Sequence, residues 1–168
     1  MRRQSAVVGV GSTQYYKRGQ SLPQTTLELA SKATLAAVED AGLSIEDVDG
    51  FSYYAGGQDT GLLAQTLGIP EIKWSVMTTA GGGGAAGSVG LAAAAVASGM
   101  ADVVVCLLAL QQNTRRFGAN FVRPGVPPAT GAYAPSVSPE KDFISTAGLT
   151  SPGQMFALLT QRDRKSVV

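Results

Sequence analysis

Short apolar runs alternate along this chain with longer stretches in which apolar residues recur every three or four positions. Short runs rich in β-branched or aromatic side chains favour buried strands, whereas the longer spacing favours helices. The pattern predicts strands at 6–11, 51–54, 72–77 and 103–108, and helices at 25–41, 59–67, 85–98 and 151–164. Because strands and helices alternate, we expect an α/β fold with right-handed crossovers and a mixed, mostly parallel sheet.

The ends of these helices carry recognisable capping signals. Thr25 and Glu28 have the spacing of a capping box at the start of the first helix, and Gly42 follows its end, where a left-handed C-terminal cap would lie. Pro152 occupies the first position of the last helix, where its missing N–H is tolerated.

The segment from Ser75 to Ala101 contains no charged residue. The helix at 85–98 therefore has no charged face, and a helix that is apolar all round is normally buried on every side. The glycines of the whole uncharged segment, which include the run Gly81 to Gly84, break up any single membrane-spanning helix and make the segment poorly hydrophobic. If part of its cover is missing, we expect the protein to associate through this helix or through a sheet edge. The continuous apolar run at 103–108 favours a central strand covered on both faces.

Composition divides the chain into three parts. Residues 1–110 form a predicted α/β core, residues 111–150 form a region rich in proline and glycine, and residues 151–168 contain the last helix and the end of the chain. Long loops of this kind inside a compact domain are usually binding loops or lids, or are disordered.

Charge and cysteine content exclude several classes of function. With 168 residues and a net charge of +1, the chain has no broad field for nucleic acid or anionic lipid, so we expect neither as a partner. It has no histidine, and a single cysteine, Cys106, so it forms neither an internal disulfide nor a Cys/His metal site. One thiol and no signal-peptide pattern favour a cytoplasmic protein. The candidate proton donors are Tyr15, Tyr16, Tyr53 and Tyr54, although tyrosine more often packs with its hydroxyl at the surface.

A run of glycines, Gly81 to Gly84, precedes the uncharged helix and has three interpretations. With Gly87 it matches the Gly-x-Gly-x-x-Gly pattern of dinucleotide-binding folds, but Asp102 stands at the start of its strand, the wrong end for a ribose-binding acid. The glycines could instead serve only to let the helix enter a crowded interior. In the third interpretation, the free amides of the helix start hold a carbonyl oxygen, an enolate or a carboxylate of a ligand.

Several segments resemble a known family. They read Val-Gly-Val-Gly-Ser-Thr at 8–13, Leu-Ala-Ala-Val-Glu-Asp-Ala-Gly-Leu at 35–43, Val-Asp-Gly at 48–50 and Gly-Leu-Ala-Ala-Ala-Ala-Val-Ala-Ser-Gly-Met-Ala-Asp at 90–102. In this order they resemble the opening of thiolase-like lipid-transfer proteins, the sterol-carrier-protein-X branch of the thiolase superfamily. The resemblance implies the N-terminal half of an αβαβα layered fold with a buried central helix, in a longer protein of two similar halves.

The same resemblance places the nucleophilic cysteine of thiolases at Gly82, where this chain has no thiol. Cys106 is expected inside a strand as a small buried hydrophobe, and no histidine is present to act as a base. We therefore assign no catalytic residue, and we expect Gly82, Gly83 and Gly84 to bind substrate.

Arg115 and Arg116 are the other candidate substrate-binding residues, because they flank the proline- and glycine-rich loop that covers the acyl-CoA site in the resembled family and could meet coenzyme A phosphates there. A solvated loop is the plainer interpretation. The resemblance implies a coenzyme A thioester as substrate, with no covalently bound cofactor. It further implies retro-aldol cleavage of steroid-like side chains in a homodimer, with an OB-fold zinc-ribbon partner. The alternatives are an acetyl-CoA acetyltransferase of the thiolase type and a non-catalytic lipid or acyl-CoA carrier. We expect this chain alone to be inactive, because the family's tyrosine acid and base would fall in the other half.

Overall fold

The computed structural model describes residues 5–17, 19–54, 59–78, 83–111, 146–148 and 152–164. The chain divides into two compact units, Met1–Gln111 and Gln112–Val168. The first unit contains α1 (Thr26–Asp40), β1 (Gly50–Tyr54), α2 (Thr60–Leu67), β2 (Trp74–Thr78), α3 (Gly84–Ala97) and β3 (Val104–Leu107), and the second contains α4 (Pro152–Arg164). Each of these elements was predicted from the sequence to within two residues at either end.

The Thr25 cap and the glycine that follows the first helix are confirmed, whereas the Glu28 carboxylate, the other half of the predicted capping box, pairs with the Lys32 Nζ at 2.7 Å. The Thr25 hydroxyl oxygen accepts a hydrogen bond from the Glu28 N–H at 3.1 Å, which satisfies one of the free amides at the start of α1. Gly42 follows the helix with φ of 67°, a conformation that glycine adopts without strain.

The three strands form one parallel sheet in the order β2-β1-β3. Gly50, the first residue of β1, lies opposite Trp74 on one side and Val104 on the other. The predicted α/β class with a parallel sheet is thus confirmed. The central strand among the described residues, however, is β1, whereas the sequence pattern favoured 103–108. A continuous apolar run indicates that a strand is buried, but it does not indicate which strands lie beside it in the sheet.

Helices cover both faces of this sheet. Phe51 and Tyr53 point to one face, where their rings stack with centroids 5.6 Å apart in the core that α1 and α2 complete. Ser52 points to the opposite face, and its hydroxyl donates a hydrogen bond to the Ser88 carbonyl of α3 at 2.9 Å. The first unit therefore has three layers, with the sheet between α1 and α2 on one side and α3 on the other.

Only one side of α3 is buried, which corrects the expectation of a helix buried on every side. The buried stripe consists of Gly84, Ser88, Ala92 and Ala95. On the other side, Val89 and Leu91 are 44% and 42% exposed. The absence of charged residues indicates that α3 favours an apolar environment. It does not show which segment of polypeptide packs against each side of the helix.

The prediction of a strand at 6–11 is wrong. This segment pairs with no strand among the described residues, and Val7, Val8 and Val10 are exposed. It lies along α1 instead, where the Val10 N–H donates a hydrogen bond to the Asp40 carboxylate at 2.8 Å. A β-branched run favours an extended backbone, but a strand also requires a neighbouring strand, and here the neighbour is a helix.

Candidate substrate site at the start of helix α3

The carboxyl ends of the strands and the start of α3 meet at one edge of the sheet. Because β1, β2 and β3 are parallel, Tyr54, Thr78 and Leu107 end them at the same edge. In open α/β sheets, ligands bind beyond the carboxyl ends of the strands. The first turn of α3, with Gly84, lies at this edge beside Tyr54 and Thr78.

The Thr78 hydroxyl ties the helix start to the central strand. Its oxygen lies 3.1 Å from the Tyr53 carbonyl and 3.0 Å from the Gly84 carbonyl, so it donates its proton to one or the other. Thr78 is buried, and the contact is therefore shielded from water. It fixes the position of the first turn of α3 relative to the end of β1.

The Tyr54 ring packs directly on Gly84. A Cβ atom at position 84 would overlap the Cδ2 and Cε2 atoms of this ring, so the contact requires glycine. Here the aromatic side chain of β1 fills the space that a side chain of α3 would otherwise occupy.

The residue before the helix, Gly83, leaves the helix start open. It is exposed, and a Cβ atom placed on it would meet no atom of the described residues within 4 Å. Gly83, as the N-cap residue, makes no side-chain capping bond, and the first turn contains no acidic residue. The amides of a helix start and its partial positive charge favour an oxygen that carries negative charge, and none of the described residues of this helix start supplies one from an acidic side chain.

The single thiol lies further along the helix. The Cys106 Sγ is 3.9 Å from the Ser88 carbonyl, the same carbonyl that accepts the Ser52 hydroxyl. Cys106 is in β3 as predicted, but the residue is exposed, which corrects the expectation of a buried side chain. Although the residue as a whole is exposed, its Sγ atom is partly buried against Ser88, and this desolvation raises the pKa of Cys106, so the thiol stays protonated at neutral pH.

The opposite edge of the sheet carries a cluster of charged residues. The Asp49 carboxylate accepts hydrogen bonds from the backbone N–H groups of Asp102 at 2.9 Å and Val103 at 2.8 Å, and it pairs with the Lys73 Nζ at 3.0 Å. Burial by itself would raise the pKa of Asp49, but these donors outweigh it and hold the pKa below the ordinary 3.8. Asp102 thus lies at the amino edge, as predicted, and is not placed to bind a ribose at the carboxyl edge.

Of the predicted substrate-binding residues, the structure places Gly83 and Gly84 together at the start of α3. Gly82, Arg115 and Arg116 lie outside the described residues, and their roles stay predictions. In the part of the chain that the structure describes, no cluster of three or more histidine, cysteine or acidic side chains could hold a metal ion. None of the helices described there is both long and apolar enough to span a bilayer.

Sequence reasoning did not connect Tyr54 or Thr78 with the glycine run. The usable signal was their position, since both lie at the carboxyl ends of predicted parallel strands, where ligands bind.

The electrostatic character of the helix start can be tested with an introduced thiol. In a Cys106→Ala background, we expect Gly83→Cys to react with iodoacetamide at pH 7 about tenfold faster than Gly90→Cys, because a helix start lowers a thiol pKa. Gly90 is the matched control, since it is exposed and also has open space around its Cα atom. Equal alkylation rates, measured by mass spectrometry, would show that the helix start does not stabilise negative charge.

Comparison with known proteins identifies relatives that are longer than this chain. No family model matches it. Over 160 residues it is 34% identical to a steroid side-chain-cleaving aldolase of Thermomonospora curvata, a match that covers 94% of this chain. Over 161 residues it is 35% identical to a 17-hydroxy-3-oxo-4-pregnene-20-carboxyl-CoA lyase of Mycobacterium tuberculosis, covering 95% of this chain. The chain spans 39% of the length of either relative.

A solved structure, described as the Ltp2-ChsH2(DUF35) aldolase, has the same fold over most of this chain. The TM-score is 0.70 at 33% sequence identity, and the match covers 94% of this chain and 37% of that chain. The sequence and structure comparisons thus both lead to proteins named as aldolases or lyases.

Proposed function

We propose that this chain is the thiolase-like N-terminal part of a lyase that cleaves a carbon–carbon bond in an acyl-CoA thioester by a retro-aldol reaction. The observation that carries the proposal is the start of α3, where the described residues Gly83 and Gly84 present backbone amides and have no nucleophilic side chain. It is supported by the likeness of nearly the whole chain to an aldolase and to a carboxyl-CoA lyase.

The chemistry requires stabilisation of an enolate. In a β-hydroxy thioester, a base removes the hydroxyl proton, a carbonyl forms, and the adjacent carbon–carbon bond breaks. Its electron pair passes to the thioester, and the resulting enolate is then protonated on carbon. Negative charge develops on the thioester oxygen, where the α3 amides would stabilise it. In this proposal Gly82, Gly83 and Gly84 surround that oxygen, and Arg115 and Arg116 meet the coenzyme A phosphates.

The base and the acid are proposed to come from polypeptide beyond this chain. Tyr53 is a poor base, because burial, together with the nearby Asp59 carboxylate, raises the pKa of Tyr53 to about 12 despite the opposing effect of Thr60. Its phenol therefore stays protonated at neutral pH. We expect this chain alone to bind the thioester without cleaving it.

Two alternative functions would require different chemistry at the same site. An acetyl-CoA acetyltransferase would need an activated thiol at the helix start, whereas Cys106 is in β3 and stays protonated. A non-catalytic acyl-CoA carrier would need only the binding part of the site.

The test uses a substrate named for the Mycobacterium tuberculosis relative. A chimera, in which this chain replaces the matching segment of the Thermomonospora curvata aldolase, is incubated with 17-hydroxy-3-oxo-4-pregnene-20-carboxyl-CoA. The incubation is repeated with the ChsH2(DUF35) protein named in the solved structure. We expect the 17-ketosteroid and propionyl-CoA by mass spectrometry, and no cleavage of the thioester that lacks the 17-hydroxyl group.

Each alternative predicts a different result for the same chimera. Cleavage of acetoacetyl-CoA by free coenzyme A would identify an acyltransferase. Binding of the thioester by the chain, measured calorimetrically, with no turnover by the chimera would identify a carrier. The proposal would be contradicted if the chain failed to bind the thioester and the chimera failed to turn it over.

The assembly we propose is a homodimer in the cytoplasm, with a DUF35-type partner of OB-fold and zinc-ribbon architecture. The exposed apolar side of α3, which includes Val89 and Leu91, is proposed to be covered on association.

Val89→Lys should weaken self-association by about tenfold or more, because burying an unpaired charge is costly. Leu62→Lys on α2 is the control, since Leu62 is 50% exposed on the other side of the sheet. A folded wild-type monomer at micromolar concentration in sedimentation velocity would contradict this assembly.

A further inference from the structure

Tyr54 stands where the proposed site and the core of the protein meet. It is the last residue of the central strand β1, at the carboxyl edge of the sheet, and it is half-buried. Its side chain points to the α3 face, as Ser52 does two residues earlier, because strand residues alternate between faces. The ring therefore lies between the sheet and the first turn of α3, with part of its surface still accessible.

The contact with Gly84 fixes the place of this ring. Gly84 is buried and lacks the Cβ that would collide with the ring, and the Thr78 hydroxyl donates a hydrogen bond either to the Gly84 carbonyl or to the Tyr53 carbonyl of β1. The end of β1, the Tyr54 ring and the start of α3 therefore lie in contact with one another. The residues before Gly84 in the glycine run have no side chains either. The aromatic ring, rather than a side chain of the glycine run, thus forms an apolar surface beside the amides of the first turn.

We propose that Tyr54 determines which acyl groups the site accepts, an inference that rests on the proposed function. A thioester oxygen held by the first-turn amides places the acyl group next to the Tyr54 ring. An aromatic ring offers a broad, rigid apolar surface, which favours a large, flat polycyclic acyl group over a small one. Tyr54 is therefore a specificity-determining residue that acts through its ring rather than through its hydroxyl group.

The experiment compares the affinities of two inert thioesters for the protein by isothermal titration calorimetry. The large probe is 3-oxo-4-pregnene-20-carboxyl-CoA, which lacks the hydroxyl group that a retro-aldol reaction needs, and the small probe is acetyl-CoA. The variants are Tyr54→Phe, Tyr54→Leu and Tyr54→Ala. Tyr15→Ala is the matched control, since Tyr15 is fully exposed. Circular dichroism establishes that each variant is folded.

We expect Tyr54→Ala to weaken binding of the polycyclic thioester about tenfold, which one lost aromatic contact of 1.4 kcal/mol would produce, and to change acetyl-CoA binding less than twofold. Tyr54→Phe and Tyr15→Ala should keep the wild-type ratio of the two affinities. If Tyr54→Ala fails to fold, Tyr54→Leu should still lower that ratio, because it removes the flat ring and keeps apolar volume.

Two results would overturn the inference in different ways. An unchanged or increased preference for the polycyclic thioester in the folded Tyr54→Ala or Tyr54→Leu variant would refute the role of Tyr54 and leave the proposed function standing. Binding of neither thioester to the wild-type protein would refute a coenzyme A thioester site on this chain, and the role of Tyr54 with it.

Discussion

Replacing Asp49 with alanine is expected to lower the free energy of unfolding by about 3 kcal/mol, because two backbone N–H groups lose a charged acceptor. The Asp49 carboxylate holds the first residues of the β3 segment, through Asp102 and Val103, against the start of β1. These bonds join residues more than fifty positions apart in the sequence. Their loss weakens the attachment of β3 to the central strand, although the parallel pairing of the two strands still joins them.

Urea unfolding, followed by circular dichroism, measures this effect. Asp102→Ala is the matched control, because the Asp102 side chain is 81% exposed and its ion pair with Lys73 is at the surface. Such a pair contributes little, so we expect a change below about 1 kcal/mol. Asp49→Asn should fall between the two, since an amide keeps one acceptor oxygen. Equal unfolding midpoints for Asp49→Ala and the wild type would show that water replaces the carboxylate without cost.

The Asp49 contribution should also depend on pH in one direction. Because the folded-state pKa of Asp49 lies below the ordinary 3.8, folding favours the ionised carboxylate. The stabilisation is therefore fully present above the unfolded-state pKa and is lost as the pH falls through the lower folded-state pKa. The stability difference between the wild type and Asp49→Asn should shrink between pH 5 and pH 2, and a difference that grew on acidification would contradict this assignment.

The sequence predicted local features better than it predicted neighbours. The caps at Thr25 and Gly42 were found because each depends on residues a few positions away, and the structure confirms both. The strand at 6–11 and the full burial of α3 were wrong, because each depends on which segment lies beside it. The long-range clamp at Asp49 left no signal in local spacing.

The candidate site was predicted only in part, because only some of its features depend on residues that are close together in the sequence. A glycine run before an uncharged helix pointed to the start of α3, since a strand, a turn and a helix are consecutive in sequence. Tyr54 belongs to a strand thirty residues earlier in the chain, and only the register of the sheet brings its ring onto Gly84. The packing of the Tyr54 ring against Gly84 could therefore not be predicted from the sequence.

The contact between Tyr54 and Gly84 leads to the second large expected effect. Gly84→Ala should destabilise the protein by about 2 kcal/mol, because its Cβ would overlap the Tyr54 ring. At Gly87 and Gly90, which are exposed on the same helix, a Cβ meets no atom within 4 Å. Alanine at either position should instead stabilise the protein by about 0.5–1 kcal/mol, since it restricts the unfolded chain and favours helix.

A double-mutant cycle with Tyr54→Ala shows whether the ring is the cause. If the collision with the ring accounts for the cost, Gly84→Ala should destabilise the Tyr54→Ala protein by at least 1 kcal/mol less than it destabilises the wild type. Such coupling, measured by urea unfolding, would place the ring against the first turn of α3 in solution. Additive effects would mean that the cost arises from the helix backbone itself. The ring would then move aside freely, and it could form no fixed wall beside the amides of the helix start.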